Sequence, residues 1–371
     1  MKKILMISGS LPPIRCGVGY YSARLSHELA EQKVGFEVLS TKGVDENVSA
    51  PLLTVPNWKI RSLPKMLAAI KTSQAEIIHI QYPAIGYRRN LGINLLPYAL
   101  RLFKPRLKVL VTLHEYHDSR WLGRWRDFIT VLPVHKIIVS NQADRQALPK
   151  WLSRKAELIP IGSNLTKVAK NPSVYAETLR HHKLNPQRPT ILFFGFAYPA
   201  KGLGILLESM DQPLLAGWQL LLLTNLDKTN NYQRGLLSQI EKLNKPKTRV
   251  AVAGFLPDNT VSAILQEGSY FVLPQSSPVN AKSSTAIAAV QHNLALITYG
   301  SNHPELTAPF SHLENCLLLP EMSAEAIGEA IQRLEDSPVE RQKIVDGAKK
   351  LEDYFSWPHI LKEHIKIYRS F

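Results

Sequence analysis

The chain has 371 residues, 45% of them hydrophobic and 20% charged. At about 100–200 residues per domain this is room for two domains with a sizeable core. Forty-five Lys and Arg stand against 30 Asp and Glu, a formal net charge of +15; this composition excludes wholesale disorder and collagen-like or low-complexity architectures. Cys16 and Cys316 are the only cysteines, which excludes a disulfide framework and a cysteine-built zinc site and suits a reducing cytosol.

The apolar stretches, such as residues 218–224, fall far short of the roughly 20 residues a membrane-crossing helix needs. Residues 1–8 are basic and then apolar but stop at Gly9-Ser10-Leu11-Pro12-Pro13; this is too short for a signal peptide and predicts a first buried strand. A helix follows over residues 19–32, with Tyr21, Leu25 and Leu29 on one face, then a strand at 36–40 and a helix at 63–71. EIIHIQ (76–81) and KVLVTL (108–113) predict strands with a helix between, and KIIVS (136–140) and 157–161 two more. Strands alternating with helices predict a parallel sheet covered on both faces. Residues 171–188 are polar and Pro-bearing, a predicted linker, after which the pattern restarts. Strands are expected at 190–195, 218–224, 249–253, 270–273 and 294–298, and helices at 203–210, 232–243, 261–267 and 283–291. Three helices close the chain, at 324–335, 338–354 and 358–368. The expected organisation is α/β: two Rossmann-like, doubly wound parallel-sheet domains (1–170 and 189–354) facing across a cleft, with a C-terminal helix at 355–371. In such sheets ligands bind beyond the carboxyl ends of the strands.

The charge is unevenly spread. Residues 1–185 hold 28 basic and 12 acidic side chains, whereas the remainder hold 17 and 18. Between Arg88 and Arg126 there are nine basic residues and only Glu115 and Asp118 as acids. Apolar and aromatic residues interleave there, Trp121 and Trp125 among them. Such a mix suits an anionic membrane surface or a lipid-linked acceptor; Arg88, Arg89, Arg101, Lys104, Trp121, Arg124, Trp125 and Arg126 are the candidates for that face. The alternatives are a solvated basic face and a nucleic-acid surface, although no recognisable nucleic-acid module accompanies the charge.

Four places can carry chemistry. Gly17-Val18-Gly19 opens a helix just past the first strand, where backbone N–H groups meet an anion, or simply make a tight turn. Lys201-Gly202 follows Gly195 in a strand-to-helix loop, where the lysine either holds a diphosphate or is solvated. The segment Gln275 to Thr285 brings Asn280, Lys282, Ser283, Ser284 and Thr285 to a helix start, as an anion cradle or as ordinary capping. His114 ends a strand, Thr112-Leu113-His114, where it either meets substrate or makes a structural hydrogen bond. His79, inside a strand of mixed polarity, is expected to be structural.

The order of these features resembles the bacterial family 4 retaining glycosyltransferases (glycosyl transferases group 1) over nearly the whole length. Pro12-Pro13, Gly17-Val18-Gly19, Thr112-Leu113-His114 and Ile159-Pro160-Ile161-Gly162 carry the likeness in the first half. Phe194-Gly195, Lys201-Gly202, Val252-Ala253-Gly254-Phe255-Leu256, Val272-Leu273-Pro274, Pro304-Glu305-Leu306 and Phe355-Ser356-Trp357 carry it in the second. The resemblance implies the two-Rossmann GT-B architecture, with a final helix crossing back onto the first domain. It implies an acceptor site in the first domain and a nucleotide-sugar site in the second. Gly17–Gly19 and Lys201 would meet the donor diphosphate, the loop to Thr285 the donor sugar and phosphates, and His114 the transferred sugar. Glu305 would contact donor or ribose, or simply lie on the surface. Two departures stand out. Phe196 follows Gly195 where the family shows an Arg shortly before the Lys-Gly. Counted back from Asn293, which takes a usual glycine's place, the family's Glu pair falls on Asn280 and Ala288.

The implied activity is sugar transfer from a nucleotide-sugar donor to an acceptor hydroxyl, retaining and metal-independent, with no cofactor; there is no Asp-x-Asp motif. Cell-envelope polysaccharide or glycolipid assembly at the inner face of the cytoplasmic membrane would suit the basic first half. The alternatives are a catalytically silent scaffold, which the missing Glu pair and Arg would suit, and a sugar-nucleotide epimerase on the same fold.

Overall fold

The computed structural model describes residues 2–14, 16–41, 50–247 and 249–371. The chain divides into two compact units, Met1–Asn164 with Ser356–Phe371, and Leu165–Phe355.

The first unit is built on seven strands: β1 (Ile4–Ser8), β2 (Phe36–Thr41), β3 (Leu52–Val55), β4 (Ile77–Tyr82), β5 (Lys108–Leu113), β6 (Lys136–Val139) and β7 (Ala156–Leu158). They form one parallel sheet in the order β3-β2-β1-β4-β5-β6-β7. The second has six: β8 (Thr190–Phe194), β9 (Gln219–Leu223), β10 (Val250–Val252), β11 (Tyr270–Leu273), β12 (Ala295–Tyr299) and β13 (Leu317–Leu319). These are also all parallel, in the order β10-β9-β8-β11-β12-β13. Each sheet therefore has one place where the strand order reverses, between β1 and β4 and between β8 and β11. Ligands of doubly wound sheets bind beyond the strand ends at that point.

The central strands are continuous apolar runs because helices cover both faces. All of β1, β4, β9 and β11 is buried. Alternate residues serve opposite faces: Leu5, Ile7, Ile78, Ile80, Val109 and Val111 enter one core, and Ile4, Met6, Ile77 and Leu110 the other. That second face is covered by Tyr21, Leu25 and Leu29 of the helix Gly17–Glu31, and by Trp357, Ile360, Leu361, Ile367 and Tyr368 of the C-terminal helix Trp357–Arg369. The C-terminal helix is anchored at its start. Trp357 Nε1 donates to the Ser163 carbonyl at 2.8 Å, and a Cβ at Gly162 would lie 2.8 Å from the Trp357 ring. Only glycine allows that approach.

Two strands that the residue pattern does not announce, β3 and β13, lie at sheet edges. Both are short, four and three residues, and β3 is only partly buried, so its alternation is weak. The stretch 171–188 is not an open linker. It holds the helix Pro172–His181, which buries Leu179 and packs on the helix Asp258–Leu265. Its polar composition reflects a helix with one narrow buried stripe, and the first unit ends before it, at Asn164.

Candidate functional site

In the second unit, residues from two loops meet at the ends of β8 and β11. Gly195 leaves β8 at φ +123°, a left-handed region that disfavours side chains, and a Cβ there would lie 3.1 Å from Thr285 Oγ1. Gly202 sits at φ +66°, and a Cβ on it would overlap the Pro274 carbonyl at 1.8 Å. The loop after β8 is thus pressed against the loop after β11. Ser276 N donates to the Ala200 carbonyl at 2.9 Å, and Lys201 Nζ points to Gln275 Oε1 at 3.5 Å. That amide is the one polar partner of the Lys201 ammonium among the described residues. Burial holds the ammonium below the ordinary lysine value. A desolvated cation beside an amide, with no carboxylate, is poised for an anion. At the end of the neighbouring β9, Thr224 Oγ1 is buried with no hydrogen-bond partner among the described residues.

The cradle from Asn280 to Thr285 is a folded turn. Asn280 Oδ1 accepts from Lys282 N at 3.1 Å, Ser283 N donates to the Asn280 carbonyl at 2.9 Å, and Ser283 Oγ accepts from Asn280 N at 3.5 Å. The helix Ser284–Gln291 follows, with Ser283 at its N-cap. The Ser283 side chain does not cap that helix; its hydroxyl is turned to the preceding loop, which departs from ordinary capping. Lys282 is half-buried beside it. Glu305 lies in the first turn of the short helix Pro304–Thr307 after β12, with His303 Nδ1 3.6 Å from its carboxylate.

Phe196, in the place where the resemblance puts an Arg, packs among aromatics instead: its ring centroid is 5.7 Å from Tyr198 and 6.1 Å from Phe255. Ala288 is fully buried in the helix Ser284–Gln291, so that position offers no polar group. Asn293 takes φ +60°, the left-handed conformation that glycine and asparagine tolerate best.

In the first unit, Gly17-Val18-Gly19 forms the first turn of the helix Gly17–Glu31. A Cβ at Gly19 would meet the Ser10 carbonyl at 3.0 Å, whereas one at Gly17 would meet nothing within 4 Å. Packing explains Gly19; it does not explain Gly17. His114 follows β5 and is only 6% exposed. Its backbone N–H donates to the Tyr82 carbonyl at 2.8 Å, and its Nε2 lies 2.9 Å from Gln81 Oε1. The Tyr21 ring meets it nearly at right angles, centroids 5.4 Å apart. His79 is fully buried and bonded to Tyr368 Oη at 2.8 Å and Thr112 Oγ1 at 2.7 Å. Burial, with His364 and His114 nearby, drives its pKa well below the ordinary histidine value.

The basic segment is not one uniform face. On the helix Trp121–Val131, Trp121 and Trp125 are 69% and 60% exposed, and Leu122 and Ile129 are also exposed. Phe128 joins Trp125 to Trp151, which is 47% exposed, through edge contacts at 6.0 and 6.2 Å. Arg124 is exposed and donates to the His117 carbonyl. Beyond Trp151 a 440 Å³ depression is lined by Arg145, Lys150 and Arg154. Arg126 departs from the expected face: its Nε is buried, without a hydrogen-bond partner among the described residues, and it lies near the buried Asp127, whose pKa burial pushes up to about 7. Arg88 and Arg89 are exposed just after the turn Ile85–Tyr87, and Arg88 takes φ +53°. Arg101 bonds to His135 Nε2 at 2.8 Å, and Lys104 ends the helix Gly92–Phe103. Among the described residues no helix is long and apolar enough to cross a membrane.

Gln81 and His364 are neighbours that a linear reading passes over, and it gives Tyr21 only as a helix face and Gln275 only as the start of a segment. The one signal available for Gln81 is its spacing, two residues from His79 and so on the same face of a strand otherwise apolar.

Residues 188–337 match the family model described as Glycosyl transferases group 1. No curated protein matches the chain in sequence. Among solved structures, the chain is similar to a glycosyltransferase from Rickettsia africae at TM-score 0.79 and 16% identity, covering 100% of this chain and 98% of that one. It is similar to Anabaena HepE in complex with UDP-glucose at 0.76 and 15%, over 100% of both chains. It is similar to sucrose-phosphate synthase from Thermosynechococcus elongatus at 0.75 and 20%, over 100% and 99%. The family match lies in the second unit, and the fold of the chain is the two-domain GT-B fold of these structures.

Proposed function

We propose that this chain transfers a sugar from a nucleotide-sugar donor to an acceptor hydroxyl, with retention of anomeric configuration and without a metal. The observation that carries the reading is Lys201: a desolvated cation, with an amide as its partner, at the reversal point of a sheet whose residues match a glycosyltransferase model. When the glycosidic bond breaks, negative charge grows on the departing nucleoside diphosphate. A cation already held in a desolvated place stabilises that charge without reorganising. Lys282 and the N-terminus of Ser284–Gln291 add to it, with the Ser284 and Thr285 hydroxyls. The UDP and UDP-glucose bound by the HepE structures give the first donors to try.

The acceptor, in this reading, is a glycan or lipid-linked molecule met by the first unit at the inner face of the cytoplasmic membrane, in cell-envelope assembly. The exposed Trp121, Trp125 and Trp151 beside Arg124, Lys150 and Arg154 support it: aromatic rings sit at the headgroup level while basic residues meet lipid phosphates.

The test is a thermal-shift panel of nucleoside diphosphates and nucleotide sugars, followed by product analysis. A stabilising shift with one nucleotide, lost in Lys201→Ala, and a sugar-bearing acceptor product are expected. An isomerised nucleotide sugar formed without acceptor would replace the reading by an epimerase. No shift with any nucleotide would replace it by a silent scaffold.

A further inference from the structure

The face of the first sheet beneath the C-terminal helix carries a string of polar side chains among its apolar ones. Alternation along the strands puts Met6, His79, Gln81 and Thr112 on that face with the core residues Ile4, Ile77 and Leu110. From the C-terminal helix, Tyr368 Oη lies 2.8 Å from His79 Nδ1. His79 Nε2 lies 2.7 Å from Thr112 Oγ1 and 3.1 Å from Gln81 Nε2. Gln81 Oε1 lies 2.9 Å from His114 Nε2. His79, Gln81 and Thr112 are at most 1% exposed, so each polar group must be satisfied within the string.

The proton positions follow from that requirement. Gln81 Nε2 also lies 3.5 Å from the Met6 thioether, which accepts and cannot donate. The amide therefore turns its N–H groups to Met6 and His79 and its oxygen to His114. Because Gln81 donates to His79 Nε2, that nitrogen is the acceptor, and the His79 proton sits on Nδ1, donated to Tyr368. Because Gln81 Oε1 only accepts, His114 carries its proton on Nε2. Nδ1 is then the basic nitrogen of its ring. A second line from the same helix reaches His114 by packing. His364 Nδ1 donates to the Ile360 carbonyl at 2.9 Å, so its Nε2 accepts from Tyr21 Oη at 3.4 Å. The Tyr21 ring, stacked on Trp357 at 5.6 Å, makes a T-shaped contact with His114.

We infer that Gln81 is a positioning residue for His114: it fixes the Nε2–H tautomer and the ring's direction, and the C-terminal helix holds Gln81 in place through Tyr368 and His79. This rests on the reading of His114 as a group that meets the transferred sugar. It assigns the C-terminal helix a task in the reaction besides covering the sheet.

The full-length chain with nitrogen-labelled histidine tests this by long-range proton–nitrogen correlation, with His114→Gln identifying the His114 signals. The expected spectrum shows His114 protonated at Nε2 and bare at Nδ1. Gln81→Leu is expected to abolish that state, and Gln81→Glu, which keeps an acceptor, to preserve it. Tyr368→Phe is expected to move the His79 and His114 signals together. In transfer assays Gln81→Leu should lower kcat about 100-fold with the donor KM nearly unchanged, and Gln81→Glu should restore most of the loss. A His114 protonated at Nδ1, or a tautomer indifferent to Gln81→Leu, would overturn the inference. A His114 signal unmoved by Tyr368→Phe would overturn the part given to the helix. The spectra need no donor: absence of nucleotide binding would sink the transferase reading and leave the tautomer result standing by itself.

Discussion

The two sheets share a strand order and differ in what they place beyond it. At the β8, β9 and β11 ends of the second unit stand a desolvated lysine, a buried threonine hydroxyl and a serine-threonine helix start. At the β4 and β5 ends of the first stand a pair of histidines hydrogen-bonded to an amide. Each sheet offers a crevice of the same kind, and under the proposed function the side chains of the second unit would meet the anionic donor and those of the first a sugar hydroxyl. A shared topology thus fixes where ligands go, and burial decides which charge state waits there.

The largest expected effect strikes the element that only the first unit uses. Trp357→Ala removes the ring packed on Gly162 and Tyr21 and the bond to Ser163, and should cost about 3–5 kcal/mol. Denaturant titration should show the first unit unfolding early while the second keeps its transition. Coincident loss of both would mean that the units do not unfold separately. Next, Lys201→Ala should abolish the nucleotide-induced thermal shift and lower transfer by about 100-fold or more, with the melting temperature in the absence of nucleotide nearly unchanged. A large drop in that temperature would make Lys201 a structural cation and weaken the contrast between the units.

Smaller effects concern pH. Burial holds His364 at about 4 and His79 well below its ordinary value. Between pH 6.5 and about 4 the unfolded chain binds protons that the folded first unit refuses, so stability rises with pH across that window. Asp127 acts in the opposite direction. Its folded pKa, about 7 against an ordinary 3.8, means that the folded state keeps a proton the unfolded chain has released, so its contribution falls as pH rises from about 4 to 7. Denaturation of His364→Gln across pH 4–8 should show a flatter acid limb, and Asp127→Asn a flatter limb toward neutrality. A wild-type profile flat from pH 4 to 7.5 that neither variant alters would contradict both. The smallest change is expected at the surface. Trp121→Ser with Trp125→Ser should weaken binding to vesicles containing anionic lipid by about tenfold, one step of 1.4 kcal/mol, without altering the melting temperature. Equal binding to neutral vesicles, or none to anionic vesicles at low salt, would remove the membrane from the proposed function.

Much of this was legible in the residues. Apolar runs such as KILMIS and KVLVTL, alternating with helical stretches, declare a buried parallel sheet, because only strands covered on both faces are apolar throughout. Glycines before a helix and Lys-Gly after a strand declare the two loops, because their chemistry is local. The edge strand LLL (317–319) and the helix at 172–181 were not legible: three residues carry no period, and a narrow buried stripe looks polar in composition. Nor was the partner of either candidate group. Gln275 lies 74 residues from Lys201, and Tyr368 lies 289 from His79. The alternation of strands with helices and the apolar faces are properties of short segments, and short segments suffice to specify them. Whether Lys201 meets an amide or a carboxylate, and on which nitrogen His114 holds its proton, depends on groups that come together only when the sheet closes its register and the last helix settles on it. In that dry interior each remaining polar atom has to find a partner, and the partner it finds sets its charge.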